Sequence, residues 1–402
     1  KKPTKKKKKK KKKKKDFYAL LGPVVDIIDD KINSYKRSAE IIKQDKEQEK
    51  KRQTLVAQQN KNSEARRESK KHVCGLKELK HIGVLGKGGF GLVTLVVDPN
   101  TNKSYALKAI KKFQVVELDL SKHIVSEKKV MDMMHNKFLV NLHATYKDKL
   151  RVYFLLDVCL GGELFTILRQ KRYFNEPTSK FYAACVIEAF DYMHSMDIIY
   201  RDLKPENLVL DSDGYLKVTD FGFAKVCPDK LRFFFFIYYD FLYKYITYTL
   251  CGTPDYLCPE IVTGQGHGKG VDWWTLGILI YEMLASFPPF VADDPVDTYR
   301  KIVAGKIRFP QYFSQEARDL IRALLQNKPN RRLACLRGGA ENIRTHAWYK
   351  GFKWDQLREG KITAPIINKV RDHLDCSNFA EVEVGPDDAK PIPVEKEFDQ
   401  DF

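Results

Sequence analysis

Six short strings of residues, set apart by long gaps, restrict what this chain can fold into. Gly86-Lys87-Gly88-Gly89-Phe90-Gly91 comes first. Lys108 follows inside the apolar run Tyr105-Ala106-Leu107-Lys108-Ala109-Ile110, and Glu127 sits in a helical pattern after it. Then come Tyr200-Arg201-Asp202-Leu203-Lys204-Pro205-Glu206-Asn207, Asp220-Phe221-Gly222 and Cys258-Pro259-Glu260. The glycine string alone is weak, because it occurs by chance and also marks dinucleotide sites. In series, and in this order, the six require a fold that gathers them around one place.

Each string suits a different part of a nucleotide triphosphate. Gly86, Gly88 and Gly91 lack the Cβ that would keep the backbone off a phosphate, and Val93 on the next strand would cover the base. Taken by itself this string reads equally well as a plain hairpin. A lysine inside an apolar strand is costly unless paired, and Glu127 is the natural partner for Lys108. That pair would hold the α- and β-phosphates. Asp202 is the candidate base that orients a hydroxyl, and Lys204 is placed to reach the γ-phosphate. Asn207 and Asp220 supply oxygen ligands of the kind magnesium prefers. Such a set positions and neutralises charge, which is most of what phosphoryl transfer asks of a protein. Glu260 is expected to pair with Arg332, and Asp272 in Val271-Asp272-Trp273-Trp274 to anchor the backbone around Asp202.

The formal charge of +19 on 402 residues is concentrated at one end. Thirteen lysines lie within positions 1–15; the rest of the chain carries only about +6, ordinary for a soluble domain. The run reads as a disordered lysine-rich tail rather than a site for nucleic acid or anionic membrane. The eight cysteines show neither a CxxC pair nor zinc spacing, and Cys159, Cys185 and Cys251 stand in apolar surroundings. No stretch reaches the roughly 18 apolar residues of a membrane-spanning helix, and no signal-type apolar segment follows the lysines. These features predict a reducing, cytoplasmic setting.

Along the chain, residues 16–75 read as a helical linker rich in Lys, Glu, Gln and Arg, with an amphipathic helix over 17–30. The packed domain spans 76–347. Alternating apolar positions over 82–110 predict three antiparallel strands, and helical spacing appears over 121–134, 179–196 and 271–285. The expected class is α+β: a small sheet lobe with one key helix, then a larger helical lobe. Residues 348–402 form a tail rich in proline and acid.

The motif series resembles the protein kinase superfamily over about residues 78–347. Leu160-Gly161-Gly162-Glu163-Leu164, the run Phe181–Phe190 and Thr249-Leu250-Cys251-Gly252-Thr253-Pro254 resemble the branch of cyclic-nucleotide-dependent kinases. The hinge string Asp157–Leu164, the Leu20-Leu21-Gly22-Pro23 helix and the Asp399–Phe402 terminus resemble the cGMP-dependent type most. The Leu20–Pro23 segment is similar to the last helix of a cyclic-nucleotide-binding domain, although no β-roll precedes it in this sequence. A catalytic subunit of the cAMP-dependent type, or a catalytically impaired scaffold, is the alternative.

The resemblance implies a serine/threonine kinase that uses ATP and Mg2+, with Gly86, Gly88, Gly91, Val93, Ala106, Lys108, Glu127, Glu163 and Asp220 holding the nucleotide. It implies protein substrates with basic residues before the acceptor, met by Glu163, Glu206 and Glu282, and an apolar pocket of Leu250, Pro254 and Leu257 for the residue after it. No specific nucleic acid is expected, and cGMP only through domains upstream. An activating phosphate on Thr249 would meet His123, Arg201 and Lys225. Two departures stand out. Cys258 replaces the expected alanine, a small change. The activation loop, 226–248, is enlarged by an aromatic stretch that includes Phe233-Phe234-Phe235-Phe236. It is either a true insertion that packs somewhere or translated intron sequence.

Overall fold

The computed structural model describes residues 73–88, 91–227, 253–382, 389–393, 398–400 and 402, all within the unit Lys70–Phe402. The lysine tail, the 17–30 helix, most of the 226–248 loop, Thr249, Leu250 and Cys251 lie outside them.

Alternating residues build the first lobe as expected. Strands β1 (Lys80–Gly88), β2 (Gly91–Asp98) and β3 (Lys103–Lys111) lead into helices α1 (Lys112–Glu117) and α2 (Ser121–Met133). Strands β4 (Leu142–Lys147) and β5 (Arg151–Leu156) complete a five-stranded antiparallel sheet in the order β1-β2-β3-β5-β4. Side chains alternate across a strand, so β3 sorts its residues by face. Ala106 and Lys108 look toward the second lobe. Tyr105 and Leu107 look the other way, into a small outer cluster with Cys74, Leu79, Val96 and Leu155. Cys74, before the expected start of the packed domain, already packs in this cluster.

The second lobe opens with β6 (Gly162–Glu163) and α3 (Leu164–Lys171), then α4 (Glu176–Ser195). Asn175 caps α4 by accepting from the Thr178 amide, and Pro177 sits in its first turn, where no amide is needed. Short strands β7 (Ile198–Ile199), β8 (Leu208–Leu210), β9 (Leu216–Val218) and β10 (Lys225–Val226) form two small sheets that carry the loops between them. Helices α5 (Pro259–Val262), α6 (Gly270–Ala285), α7 (Pro295–Ala304) and α8 (Gln315–Leu324) follow. Every residue of α6 from Val271 to Ala285 is buried, so this helix is apolar all round and forms the lobe's axis.

Two tethers join the lobes. Leu139 and Val218 pair across them, with Val140 N donating to Val218 O and Val218 N to Phe138 O, both at 2.9 Å. The Asp157 carboxylate accepts from Asn141 Nδ2 at 2.7 Å and Lys217 Nζ at 2.8 Å, and lies 2.7 Å from His143 Nε2. Burial opposes that charge, but the His143 and Lys217 contacts overcome it and hold the carboxyl well below the usual range.

The tail is not an appendage. After helix Trp354–Glu359 it returns to the sheet lobe. Asn368 and Asn378 donate to the hinge carbonyls of Gly161 and Leu160 at 2.8 and 2.9 Å. At its end, Asp399 pairs with the buried Lys112 at 2.9 Å and Phe402 stands edge-on to Phe154.

The fully buried Arg332 forms a two-pronged pair with Glu260, both contacts 2.6 Å. Removing one charge of such a pair strands the other in the core. Arg332→Leu should lower stability by about 3–5 kcal/mol, read as a lower urea midpoint; an unchanged midpoint would refute this role for the pair.

Candidate active site

The loop between β7 and β8 carries the chemistry and is held from beneath. Asp272 on α6 is wholly buried. Its carboxylate accepts the Tyr200 and Arg201 amides at 3.0 and 2.8 Å and sits 2.6 Å from His194 Nε2. Arg201 takes a left-handed φ of 71° and Asp220 one of 57°. Both are strained for non-glycine residues, and both flank the site. Tyr200 OH donates to Thr219 O at 2.6 Å, tying the loop to the strand that delivers Asp220.

On this base the expected residues meet. Lys108 Nζ lies 2.9 Å from Glu127 and 3.8 Å from Asp220 Oδ1. Burial works against the lysine's charge, yet Glu127 and then Asp220 outweigh it, so its pKa is raised and it stays cationic. Glu127 is itself buried, and desolvation lifts its pKa against the pull of Lys108. Asp202 is nearly buried; Lys204 Nζ stands 3.1 Å from its Oδ2, and Asn207 Nδ2 donates to the same oxygen at 2.7 Å. Burial raises the Asp202 pKa, Lys204 and Asn207 oppose that rise, and Asp220 adds to it. The Asn207 amide nitrogen is committed to Asp202, donating to its backbone carbonyl as well at 2.9 Å.

Val93 pairs in register with Lys108, and Ala106 lies on the same face of the sheet. The glycines differ in what they do. A Cβ on Gly86 would meet nothing within 4 Å among the described residues. A Cβ on Gly91 would strike Ala109 O at 1.6 Å, so strand packing alone already requires glycine there. Gly88 has only Gly91 O near, at 3.9 Å.

The three acids differ too. Glu206 is exposed and Glu163 half-buried; burial and then the nearby Glu206 charge raise the Glu163 pKa. Glu282 is buried and already engaged, by Arg169 at 3.1 Å and by Tyr256 OH at 2.5 Å. Pro254 opens the turn Pro254–Tyr256, and the buried Leu257 lines a narrow cavity with Asp202, Thr253 and Tyr256. Helix α2, which carries His123, packs near β10, which carries Lys225, and Arg201 Nε donates to Phe223 O at 2.8 Å.

Sequence reasoning missed several neighbours of this site. Arg169 and Tyr256 lie far from Glu282 in sequence and carry no motif. His267 is buried, its Nε2 without a hydrogen-bond partner among the described residues; burial and then Arg201 press its pKa down to about 4. Phe379, packed against the core, and the Lys112–Asp399 anchor depend on the tail's path. The paired aromatics of the terminus were the only available signal.

The model of the protein kinase domain family matches residues 79–349. The chain belongs to the protein kinase family. This kinase is 44% identical over 304 residues to a cAMP-dependent protein kinase catalytic subunit of Dictyostelium discoideum, covering 76% of the chain and 44% of that protein. It is 42% identical over 328 residues to cGMP-dependent protein kinase 2 of Homo sapiens, covering 81% and 41%. A second cAMP-dependent catalytic subunit, from Homo sapiens, is 41% identical over 322 residues, covering 80% and 86%. The kinase thus spans less than half of the first two relatives. Its catalytic domain is of the serine/threonine, cyclic-nucleotide-dependent type, and these relatives do not separate the cAMP from the cGMP kind.

Among the described residues no helix is long and apolar enough to cross a membrane. No group of three or more His, Cys, Asp or Glu side chains among them is arranged for a metal. Magnesium is consistent with that, since it is commonly held by one or two carboxylates together with substrate phosphates.

Glu127 supplies most of the field that keeps Lys108 charged. Glu127→Gln should therefore lower the Lys108 pKa, visible in the pH titration of an isotope-labelled lysine ε-carbon. An unshifted titration would show that Asp220 alone suffices.

Proposed function

We propose that this kinase moves the γ-phosphoryl group of MgATP to serine or threonine in basic sequence contexts, and that it is of the cGMP-dependent type. The observation that carries the catalytic reading is the convergence of Lys108, Glu127 and Asp220 on one side and Asp202, Lys204 and Asn207 on the other. All the charges that phosphoryl transfer needs are present and paired, which argues against an impaired scaffold. The hinge string, the Leu20–Pro23 segment and the Asp399–Phe402 terminus favour the cGMP type. Most of the described cysteines are buried, which fits a reducing cytoplasm.

The residues present fit the nucleotide and its metal. Lys108 would meet α- and β-phosphate oxygens while Glu127 keeps it aimed. Asn207 and Asp220 offer hard oxygen ligands, Asp220 within 3.8 Å of Lys108 Nζ, so they would hold magnesium. Bound MgATP supplies the phosphoryl group and the cation that offsets its charge. Asp202, fixed by Asn207, accepts a hydrogen bond from the substrate hydroxyl and points its oxygen at phosphorus. Lys204 neutralises charge as the new bond forms. Glu163 and Glu206 give substrate arginines an anionic subsite; Glu282 is already engaged by Arg169 and Tyr256. A phosphate on Thr249 that reached Arg201, Lys225 and His123 would order the loop through charge-assisted bonds.

Asp202→Asn should leave nucleotide binding nearly intact and cut turnover at least about a hundredfold. Because burial raises the Asp202 pKa, the acid limb of kcat/KM should lie above the ordinary carboxylate range, and Lys204→Met should move it higher still. A limb that ignores both substitutions would remove Asp202 from the chemistry. Peptides with arginines before the acceptor should outperform alanine-substituted ones; equal kcat/KM for both would sink the basic-site reading.

A further inference from the structure

The two most exposed large apolar side chains among the described residues are Tyr312 and Tyr173, at 66% and 60%. They come from distant parts of the sequence, yet their rings stand 6.4 Å apart with a tilt of 32°. The aromatic surface continues behind them: Phe313 lies 5.4 Å from Tyr312, Tyr281 lies 5.2 Å from Phe313, and the exposed Phe287 lies 6.0 Å from Tyr281. A contiguous apolar face left in water marks an interaction site more often than scattered single residues do. Each tyrosine is held outward by a built frame. Arg172, at the end of α3, takes φ 67° and ψ −53°, close to the rare and strained γ-turn. That turn sends Tyr173 out, while Phe174 is buried and its amide donates to Met283 O at 2.7 Å. Arg318 Nη2 donates to the carbonyls of Pro310 and Gln311 at 3.0 and 2.8 Å and fixes the turn before Tyr312. Backbone strain kept at a non-glycine residue is common at ligand-binding sites. Neither tyrosine hydroxyl has a hydrogen-bond partner among the described residues.

Charge decides which partner fits. The segments that carry the two rings, 171–176 and 306–316, hold Lys171, Arg172, Lys306 and Arg308, all exposed and without an ion-pair partner among the described residues. Of the two acids in these segments, Glu176 is committed to the Ser314 amide and to Trp348 Nε1, which leaves Glu316 alone against four cations. We propose that this face binds a proline-rich segment of a partner protein, in the polyproline conformation and flanked by acidic residues. Such a segment lays flat apolar rings against Tyr173 and Tyr312, and its backbone carbonyls make no internal bonds, so they suit two free hydroxyl donors. It is stiff before it binds, so docking loses little entropy. Its Asp and Glu residues meet the four cations, which orient it and speed the encounter. A nucleobase fits less well, because stacking between two rings asks for parallel planes and these are tilted by 32°.

The place of this face in the fold gives the binding a use. Helix α3 begins after Glu163 and ends before Arg172, and its 8 residues span about 12 Å. A partner held at the tyrosines therefore lies alongside the cleft, where its own serine or threonine gains effective concentration. That consequence, unlike the binding itself, rests on the kinase reading above.

The test titrates the full chain, by calorimetry, with a synthetic peptide of Pro-Pro-Ala repeats flanked by paired glutamates, and separately with a single-stranded oligouridylate. We expect saturable peptide binding that weakens as salt rises. Tyr173→Ala and Tyr312→Ala should each weaken it about tenfold, with the thermal midpoint and the turnover of a small arginine-containing acceptor peptide unchanged. Arg172→Gln together with Arg308→Gln should flatten the salt dependence. Joining the proline-rich peptide to that acceptor through a glycine-serine spacer should lower the acceptor's KM for the unaltered chain and not for Tyr312→Ala. Equal binding of a peptide of the same charge with glycine in place of proline overturns the inference, since charge alone would then account for it. So do the lack of saturable binding, binding that ignores both tyrosine substitutions, and oligouridylate binding without peptide binding. Tyrosine-dependent peptide binding with no turnover of any acceptor upholds the inference and defeats the kinase reading instead.

Discussion

The Asp272 carboxylate is the contact on which the site depends. It lies at zero exposure on a helix buried on every side, and it faces the two backbone amides that begin the catalytic loop. A buried carboxylate is tolerated only when hydrogen bonds replace its water. Tyr200, Arg201 and His194 do so here. The dependence runs both ways: the loop's strained φ at Arg201 persists because those amides are fixed, and the charge persists because the loop is there. Around this point the helical core becomes a platform for chemistry.

Charge is graded across the cleft. On the sheet side, Lys108 is cationic in spite of burial because Glu127 and Asp220 surround it. On the helical side, Asp202 is raised by burial and restrained by Lys204 and Asn207. The two sides touch through the 3.8 Å contact from Lys108 to Asp220. Anything that parts the lobes separates the lysine from that carboxylate, so lobe closure and charge balance are one event. The tail reinforces closure: it bonds the hinge carbonyls and ends on Lys112 and Phe154 in the sheet lobe.

Much of this was legible in the sequence because the motif residues are local. Lys108 stood out as a charge in an apolar strand, and its cost named Glu127 as partner before any contact was visible. Glu260 with Arg332, and Asp272 with the catalytic loop, were expected from their places in the motif strings. Helix and strand positions followed from periodicity, with boundaries off by a few residues where capping at Asn175 set the start. Gly91 was read for phosphate, yet its contact with Ala109 shows a packing demand that sequence could not separate from a binding one.

Other features were decided only in three dimensions. Glu282 looked like Glu163 and Glu206 on paper; folding buried it against Arg169 and Tyr256 and left the other two open to a ligand. His267 has its pKa pressed down because the fold buries it and sets Arg201 near. Asp399 became a buried anchor because the tail crosses both lobes. The sequence by itself determined the family, the identity of the reacting groups and the need for each buried charge to find an opposite, since these follow from residue type and local spacing. Which charges are buried, which carboxylates are already spent and where the tail closes were decided by tertiary structure, because exposure belongs to the packed chain and to no single stretch of it.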